Sequence, residues 1–318
     1  MVKTLIAVPI FNEEDSIENC ISSLLEITRD SGIFNYEIAC FNDGSTDNTF
    51  NVLNQYADQI KILESRINFG LSEVFNSIMF YAKENSFDYV VVFDADNQYP
   101  YNDIPEILNL AIENKSDIHI GARDFNKLEH FTKIKKVLQK IGSKFISYII
   151  GKKIFDATSG FRVYSSRAVE ALFSTNSFTY TLETLFQSNP YKLKVSSSII
   201  SDSFETRESR LFKNNFEYLK KSFFVIIKSI LLYKNSFLNK IMFILFTPGV
   251  YLLSRFFIPY LSEGTNPGNI QSLVVGTSYL IILILFILIV YIFSNNYQTK
   301  SLFLKIDYNP KHTLSKDS

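Results

Sequence analysis

From Ile270 to Phe293 the chain runs for 24 residues without one charged side chain. As a helix such a run is about 36 Å long, at roughly 1.5 Å per residue, against a hydrocarbon core of about 30 Å. It must be buried in protein or in lipid, and the segment Leu280 to Phe293 (LIILILFILIVYIF) favours lipid. A second stretch of equal length, Leu238 to Leu261, is apolar apart from Asn239, Lys240, Arg255 and a few hydroxyls. There Thr247-Pro248-Gly249 invites a kink, and Arg255 has to snorkel or find a partner. The connection SEGTNPGN has no Lys or Arg, whereas Lys220, Lys221, Lys228, Lys234 and Lys240 precede the pair and Lys300, Lys305, Lys311 and Lys316 follow it. That asymmetry predicts a multi-pass protein of the inner or plasma membrane with both flanks cytoplasmic. Residues 216–235 mix aromatic and aliphatic residues with spaced lysines, as in a helix lying in the headgroup layer.

The remainder is large enough for one sizeable domain. Lys+Arg and Asp+Glu balance at 32 each, so no global basic footprint is present and no nucleic-acid partner is expected. Local basic blocks do exist: residues 127–153 hold eight Lys against Glu129, and 207–240 hold eight Lys and Arg against Glu208 and Glu217. Cys20 and Cys40 both fall in segments that read as buried, which favours free thiols and a reducing compartment. The opening MVKTLIAVPIFNEE has too short an apolar run for a signal peptide, so the N-terminal domain is expected in the cytosol.

Within that domain short β-rich runs alternate with helical stretches. The runs are Thr4 to Val8, Tyr36 to Phe41, Ile60 to Glu64, Tyr89 to Phe93 and Asp117 to Gly121, with helices expected at 14–29, 47–57, 71–84 and 103–114. Alternation of this kind predicts an α/β fold with a mainly parallel sheet and helices on both faces. Ligands of such sheets bind beyond the carboxyl ends of the strands. Four polar clusters fall there: Phe11-Asn12-Glu13, Asn42 to Ser45, Arg66 to Gly70, and Asp94 to Gln98.

Asp94 and Asp96 flank the small Ala95 and can converge on one hard cation, with Gln98 adding a neutral oxygen. Such a set suits Mg²⁺ or Mn²⁺ bridging a diphosphate. Asn42 to Asp47 (NDGSTD) reads as a turn and helix N-cap, with Ser45 or Asp47 meeting free N–H groups. Neither GxGxxG nor GxxxxGK[ST] occurs, so phosphates have to be held mainly through metal. His119, His130 and His312 are too scattered for a zinc site; His119 reads as a strand residue and His312 as part of a polar tail.

The ordered set AVPIFNEE (7–14), NDGSTDNT (42–49), NFG (68–70), DADNQYP (94–100) and SGFRVYSSRAV (159–169) resembles the inverting family 2 glycosyltransferases of GT-A fold. Within them it is similar to dolichol- and polyprenyl-phosphate sugar synthases, including the bacterial type with two C-terminal membrane helices. The resemblance implies a donor site of Pro9, Phe11, Asn12, Glu13, Asp43, Asn68, Asp94, Ala95 and Asp96, and a metal and diphosphate site of Asp94, Asp96 and Gln98. Asn42 departs from the commoner Asp. Arg123, Arg207 and Arg210 match positions that meet the acceptor phosphate, Asp96 and Glu183 match catalytic positions, and 133–153 matches a loop and amphipathic helices near the acceptor.

The implied organisation is a GT-A domain at 1–212, a juxtamembrane amphipathic helix at 213–236, two transmembrane helices within 237–294 and a flexible cytoplasmic tail at 295–318. The implied reaction takes a sugar from a nucleotide-sugar, UDP- rather than GDP-linked, to polyprenyl phosphate at the bilayer, with a homo-oligomer expected. A glycolipid synthase acting on a hydroxyl would need Asp96 or Glu183 as base. A processive polysaccharide synthase is disfavoured because the chain has no Trp, and a silent scaffold because DADNQ, Glu13 and Asp43 are all present.

Overall fold

A computed structural model describes residues 1–30, 34–128, 132–176, 179–201, 215–233, 235–264 and 269–314. The strands are β1 (Val2–Ile10), β2 (Phe34–Asn42), β3 (Lys61–Glu64), β4 (Tyr89–Val92), β5 (Ile118–Ala122), β6 (Arg162–Ser165), β7 (Val195–Ile199) and β8 (Thr313–Leu314). Helices α1 (Ile17–Asp30), α2 (Thr49–Asn54), α3 (Leu71–Glu84), α4 (Ile104–Glu113), α5 (Lys133–Ile150), α6 (Ser166–Ala171) and α7 (Tyr180–Gln187) connect the first seven.

Among the described residues the strands form one sheet in the order β7-β5-β6-β4-β1-β2-β3-β8. β1 lies parallel to both β2 and β4, and β2 parallel to β3. β6 runs antiparallel between β4 and β5, β7 is parallel to β5, and β8 is antiparallel to β3. This is the mainly parallel sheet the alternation predicts. The central strands are near-continuous apolar runs because both their faces are covered. Leu5, Ile6, Ala7, Val8, Val90, Val91 and Val92 are fully buried.

Sequence order moves from β1 to β2 and β3 on one side, then returns through α3 to β4 on the other. The reversal makes a topological switch point beyond the carboxyl ends of β1 and β4, where an open α/β sheet forms its crevice. Phe11 to Asp15 leave β1 there and Phe93 to Gln98 leave β4.

His119, read as a strand residue, lies in β5 with its ring nitrogens 2.6 and 2.8 Å from the hydroxyls of Ser196 and Ser198 on β7. Burial pushes its imidazole down to about 4. The folded state thus binds fewer protons than the unfolded state between about pH 6.5 and pH 4, and His119 stabilises the fold above that window and loses this contribution as pH falls through it. Between pH 7.5 and pH 5 the full-length wild type should lose about 2 kcal/mol more stability than His119→Gln does, read as a larger fall in melting temperature; parallel pH dependences would contradict the assignment.

By its internal contacts the chain divides into one compact unit of Met1–Ile226 with Tyr308–Ser318 and another of Ile227–Asp307. Of the segment expected to be a flexible tail, 295–306 is helical and Thr313–Leu314 is a strand, while 315–318 lie outside the described residues. The last long helix, α10 (Ile270–Ile306), continues well past Phe293, and the chain then returns to the first unit, where β8 pairs with β3. Tyr308 and His312 find buried polar partners there that no local sequence pattern reveals.

In the second unit α9 (Asn235–Glu263) and α10 pack against each other. Phe237–Ser262 and Ile270–Ile306, which contain 18-residue stretches of mean hydropathy 1.8 and 3.0, are long and apolar enough to cross a membrane. Small residues permit the close approach: a Cβ at Gly249 would run into the Leu280 side chain, and one at Gly276 would lie 3.0 Å from Leu252 Cβ. The Tyr279 hydroxyl donates to the Leu245 carbonyl at 2.8 Å, close to Pro248 in the interior of α9. Replacing Gly276 by Leu should cost about 1–3 kcal/mol through overpacking. Its check is resistance of the helix pair to heat in detergent, which should fall in Gly276→Leu and hold in Ile282→Leu, a change at an exposed position.

Candidate active site

The loops after β1 and β2 are stitched into one surface. The Asn12 amide donates to Ser45 Oγ (2.9 Å), and Asn12 Oδ1 accepts from the Thr46 amide (2.7 Å). The Glu13 amide donates to Thr49 Oγ1 (2.8 Å), and the Asn48 amide donates to Glu14 Oε2 (2.9 Å). Asn12 takes a left-handed backbone with φ 55°, which its short polar side chain tolerates. Asp47 does part of the capping expected of it, accepting from the Thr49 amide at 3.0 Å at the start of α2. Asn42, the departure from the commoner Asp, closes its own turn by accepting from the Ser45 amide at 3.1 Å. Pro9 sits at the end of β1, Glu13 is buried, and the Phe11 ring is 42% exposed, an aromatic face open at the carboxyl edge of the sheet.

Asp43 is buried and serves the neighbouring loop. Its Oδ1 and Oδ2 accept from the Phe69 and Gly70 amides at 2.9 and 2.7 Å, and Ser65 Oγ lies 3.3 Å from Oδ1. Burial alone would raise this carboxyl; His312 and the two amides hold it below the ordinary value. A side chain at Gly44 (φ 68°) would meet the Ile67 backbone at 2.5 Å, so the 65–70 loop rests directly on this turn. Asn68 is exposed on that loop.

The Asp94 to Gln98 segment follows β4. Asp96 Oδ1 accepts from the Gln98 amide at 3.1 Å, and Asn97, at φ 57°, donates its side-chain amide to the Ser16 carbonyl at 3.1 Å. Ala95 is buried, and Asp94, Asp96 and Gln98 are half-buried. Asp94 has no hydrogen-bond donor among the described residues. Burial, then the charge of Asp96, push the Asp94 carboxyl up to about 7; Arg123 pulls it back and Glu13 adds to the rise. Two close carboxylates, one lacking a donor, form a set that a hard divalent cation would satisfy. Among the described residues no group of three or more His, Cys, Asp or Glu converges as a metal site, so Asp94 and Asp96 would share the ion with oxygens from a ligand.

A second set of residues frames Asp94 from the SGFRVY segment. Ser159 donates to the Gly121 carbonyl at 2.6 Å, and the Gly160 amide donates to the Tyr99 hydroxyl at 3.1 Å. Gly160 has no room for a side chain, because a Cβ would collide with the Asp94 carboxylate. Arg162 is fully buried, has no ion-pair partner among the described residues, and donates to the carbonyls of Ser159, Thr181 and Ala157 at 2.8–2.9 Å, fixing the segment. Reading the sequence alone assigns no part to Tyr99, Gly160 or Arg162. The signal available is an aromatic three residues after Asp96 and a glycine two positions before an arginine.

Two expected residues have firm structural partners. Arg123 donates from Nε to buried Asp156 at 2.7 Å and from Nη2 to Thr158 at 3.1 Å. Burial would raise Asp156, and the Arg123 charge and hydrogen bond hold it low. Glu183, on α7, is buried and accepts from Ser174 Oγ, Thr175 Oγ1 and the Thr175 and Asn176 amides at 2.7–3.2 Å, which ties down the turn ahead of the helix. Arg207 and Arg210 lie outside the described residues.

Residues 5–173 match glycosyl transferase family 2, and the chain belongs to that family. It is 30% identical over 178 residues to a dolichol-phosphate mannosyltransferase of Pyrococcus furiosus, covering 54% of this chain and 48% of that protein. It is 29% identical over 179 residues to an undecaprenyl-phosphate 4-deoxy-4-formamido-L-arabinose transferase of Photorhabdus laumondii, covering 54% and 51%. The chain thus spans about half the length of the curated relatives it matches. Glucosyl-3-phosphoglycerate synthase of Mycobacterium tuberculosis, solved with Mn²⁺ and UDP-glucose, superposes with TM-score 0.56 over 72% of this chain and 78% of its own, at 16% identity. That likeness concerns the fold, and the fold is GT-A-like.

Gly160→Ala should displace the Asp94 carboxylate and weaken Mn²⁺ binding about 10- to 100-fold, the range for lost support around a metal ligand. Direct Mn²⁺ titration reads it. Gly142→Ala, within α5 where an added Cβ meets nothing within 4 Å, is the control and should leave the affinity unchanged.

Proposed function

We propose that this protein transfers one sugar from a nucleotide-sugar, UDP-linked in preference to GDP-linked, to polyprenyl phosphate at the cytoplasmic face of a membrane, with inversion at the sugar C1. The observation that carries this reading is the Asp94–Asp96 pair at the switch point of a GT-A sheet, in a chain that also holds two helices of membrane-spanning length. Met1–Ile226 and Tyr308–Ser318, which flank the helix pair along the chain, belong to one unit in which β8 pairs with β3, as a membrane hairpin requires.

α5 supports placement at a lipid surface. Ile134, Val137, Leu138, Ile141, Phe145 and Tyr148 recur at helical spacing and are all exposed, with Lys133, Lys135, Lys136, Lys140 and Lys144 among them. An exposed apolar stripe edged by lysines suits the headgroup layer of an anionic leaflet. The two relatives named for dolichol- and undecaprenyl-phosphate transfer support the acceptor.

The chemistry follows from the residues. Asp94 and Asp96, with Gln98 beside them, would hold Mg²⁺ or Mn²⁺ against the donor diphosphate. When bound, the ion supplies positive charge for the departing nucleoside diphosphate. Phe11 offers an exposed ring, and the Asn12–Thr46 and Asp43–Gly70 hydrogen bonds fix the loops on which the nucleoside rests. A phosphate monoester is largely dianionic near neutral pH, its second pKa being about 6 by analogy with phosphoserine, so its oxygen attacks C1 without a general base. This agrees with a buried Glu183 whose two oxygens are already hydrogen-bonded. The basic residues 127–153, with Arg207 and Arg210, would hold the acceptor phosphate in line.

The test is transfer of radiolabelled sugar from UDP- and GDP-sugars into undecaprenyl phosphate by membranes holding the protein, with Mg²⁺ or Mn²⁺. Mild-acid-labile lipid label is expected, and Asp96→Ala should lower it by at least about 10³-fold, the order expected when charge stabilisation of the leaving group is lost. Acid-stable label would point instead to a hydroxyl acceptor, and full activity in Asp96→Ala would overturn the mechanism.

A further inference from the structure

The segment after α10 is tied to the donor-side loop at three places. Antiparallel pairing sets Thr313 opposite Glu64 and Leu314 opposite Leu63, on the strand that leads into the 65–70 loop. On α3, which leaves the loop, the Tyr308 hydroxyl donates to Glu73 Oε1 at 2.7 Å and lies 3.0 Å from Ser77 Oγ. Its ring packs edge-on against Phe80 and Phe173. Between these anchors sits His312, 2% exposed, with Nδ1 3.0 Å from Ser77 Oγ and its ring against Phe41. Its Nε2 lies 3.3 Å from Asp43 Oδ1 without good hydrogen-bond alignment, and is otherwise buried with no partner among the described residues.

Asp43 is the carboxylate that holds the Phe69 and Gly70 amides. The loop itself is exposed at Arg66, Ile67, Asn68 and Phe69, and beyond these bonds its backbone is held by the Gly44 contact, by Ser65 Oγ donating to the Ile67 carbonyl at 2.8 Å and by the Ser65 amide donating to the Asn42 carbonyl at 3.0 Å. Every described tail contact therefore falls on the strand before the loop, the helix after it, or the acid that grips its end, apart from the ring contacts to Phe41 and Phe173. A segment meant only to cover the exposed edge of β3 would need the β8 pairing and no buried imidazole beneath the loop.

We propose that residues 308–314 act as a positioning segment for the donor-binding loop 65–70, with His312 as the positioning residue acting through Asp43. The inference rests on the reading that a nucleotide-sugar binds beyond β1, β2 and β4. The segment that follows the last apolar helix would thereby set donor affinity, while acceptor binding is left alone.

The experiment uses the full-length protein in nanodiscs of phosphatidylglycerol and phosphatidylethanolamine. His312→Ala should speed amide exchange of the 65–71 peptide about tenfold or more, the scale expected when a buried carboxylate loses a neighbouring polar group. It should raise the KM for the donor by a similar factor, leaving kcat and the polyprenyl-phosphate KM within about twofold, as for loss of uniform binding. Two conservative variants separate this from simple loosening of the tail. Gln carries its amide nitrogen where Nε2 reaches Asp43, and His312→Gln should restore much of the donor KM. Asn carries its amide where Nδ1 reaches Ser77, and His312→Asn should keep the tail docked yet behave like His312→Ala. Unchanged loop exchange in His312→Ala, an unchanged donor KM, or equal rescue by Asn and Gln would overturn the proposal. The exchange measurement decides the positioning role by itself, so failure of the wild type to use any nucleotide-sugar would count against the proposed function and not against this coupling.

Discussion

The parallel pairing of β1 with β2 on one side and β4 on the other is the constraint from which the site follows. Its register sets Ile10 beside Asn42 and Ala7 beside Val92, and β2 sets Asn42 beside Glu64. Three strands consequently end at nearly one level, and the polar residues after each are delivered to the same edge. A shift of one residue in any of these strands would turn its buried side chains to the opposite face, so burial of the core holds the register firmly. The core residues Ile6, Val8, Ile38, Cys40 and Val91 are the ones that would be displaced.

On that frame the loops are fixed by hydrogen bonds from side chains to backbone. Asn12, Asp43 and Asp96 each accept from a neighbouring amide, so residues that resemble direct ligands also shape the surface. Asp94 is different: it stands over Gly160, beside Asp96, and no donor among the described residues reaches it. Its carboxyl is raised because burial and a like charge both oppose ionisation. The rigid part of the site thus surrounds one carboxyl whose charge Arg123 offsets only in part, which is where a cation and a diphosphate would be most favourable.

The apolar helices set a separate requirement. α9 and α10 meet through Gly249 and Gly276, and most of their remaining surface is exposed aliphatic and aromatic side chains, a surface stable in lipid and not in water. The apolar stripe of α5 repeats that requirement on the first unit. The likeness to glucosyl-3-phosphoglycerate synthase concerns the sheet and its helices, and does not account for these apolar surfaces.

Much of this was legible in the residues themselves. Alternating apolar runs and amphipathic stretches determined the parallel sheet, because strands buried on both faces and helices buried on one leave different periodicities. The charge-free run and the lysines flanking it determined the apolar hairpin, and DAD at the end of VVVF determined where a cation could sit. Only the tertiary structure decided the rest. It bound Glu183 into the turn at 174–176 and Arg123 to Asp156, although both read as free functional groups. It placed Gly160 under Asp94, buried Arg162 among carbonyls, and returned His312 from a segment that reads as a polar tail to Asp43, 269 positions earlier. A sequence displays the periodicity of an element because neighbours along the chain share one face. Which distant carboxylate meets which cation depends on packing between elements, and no local pattern encodes it.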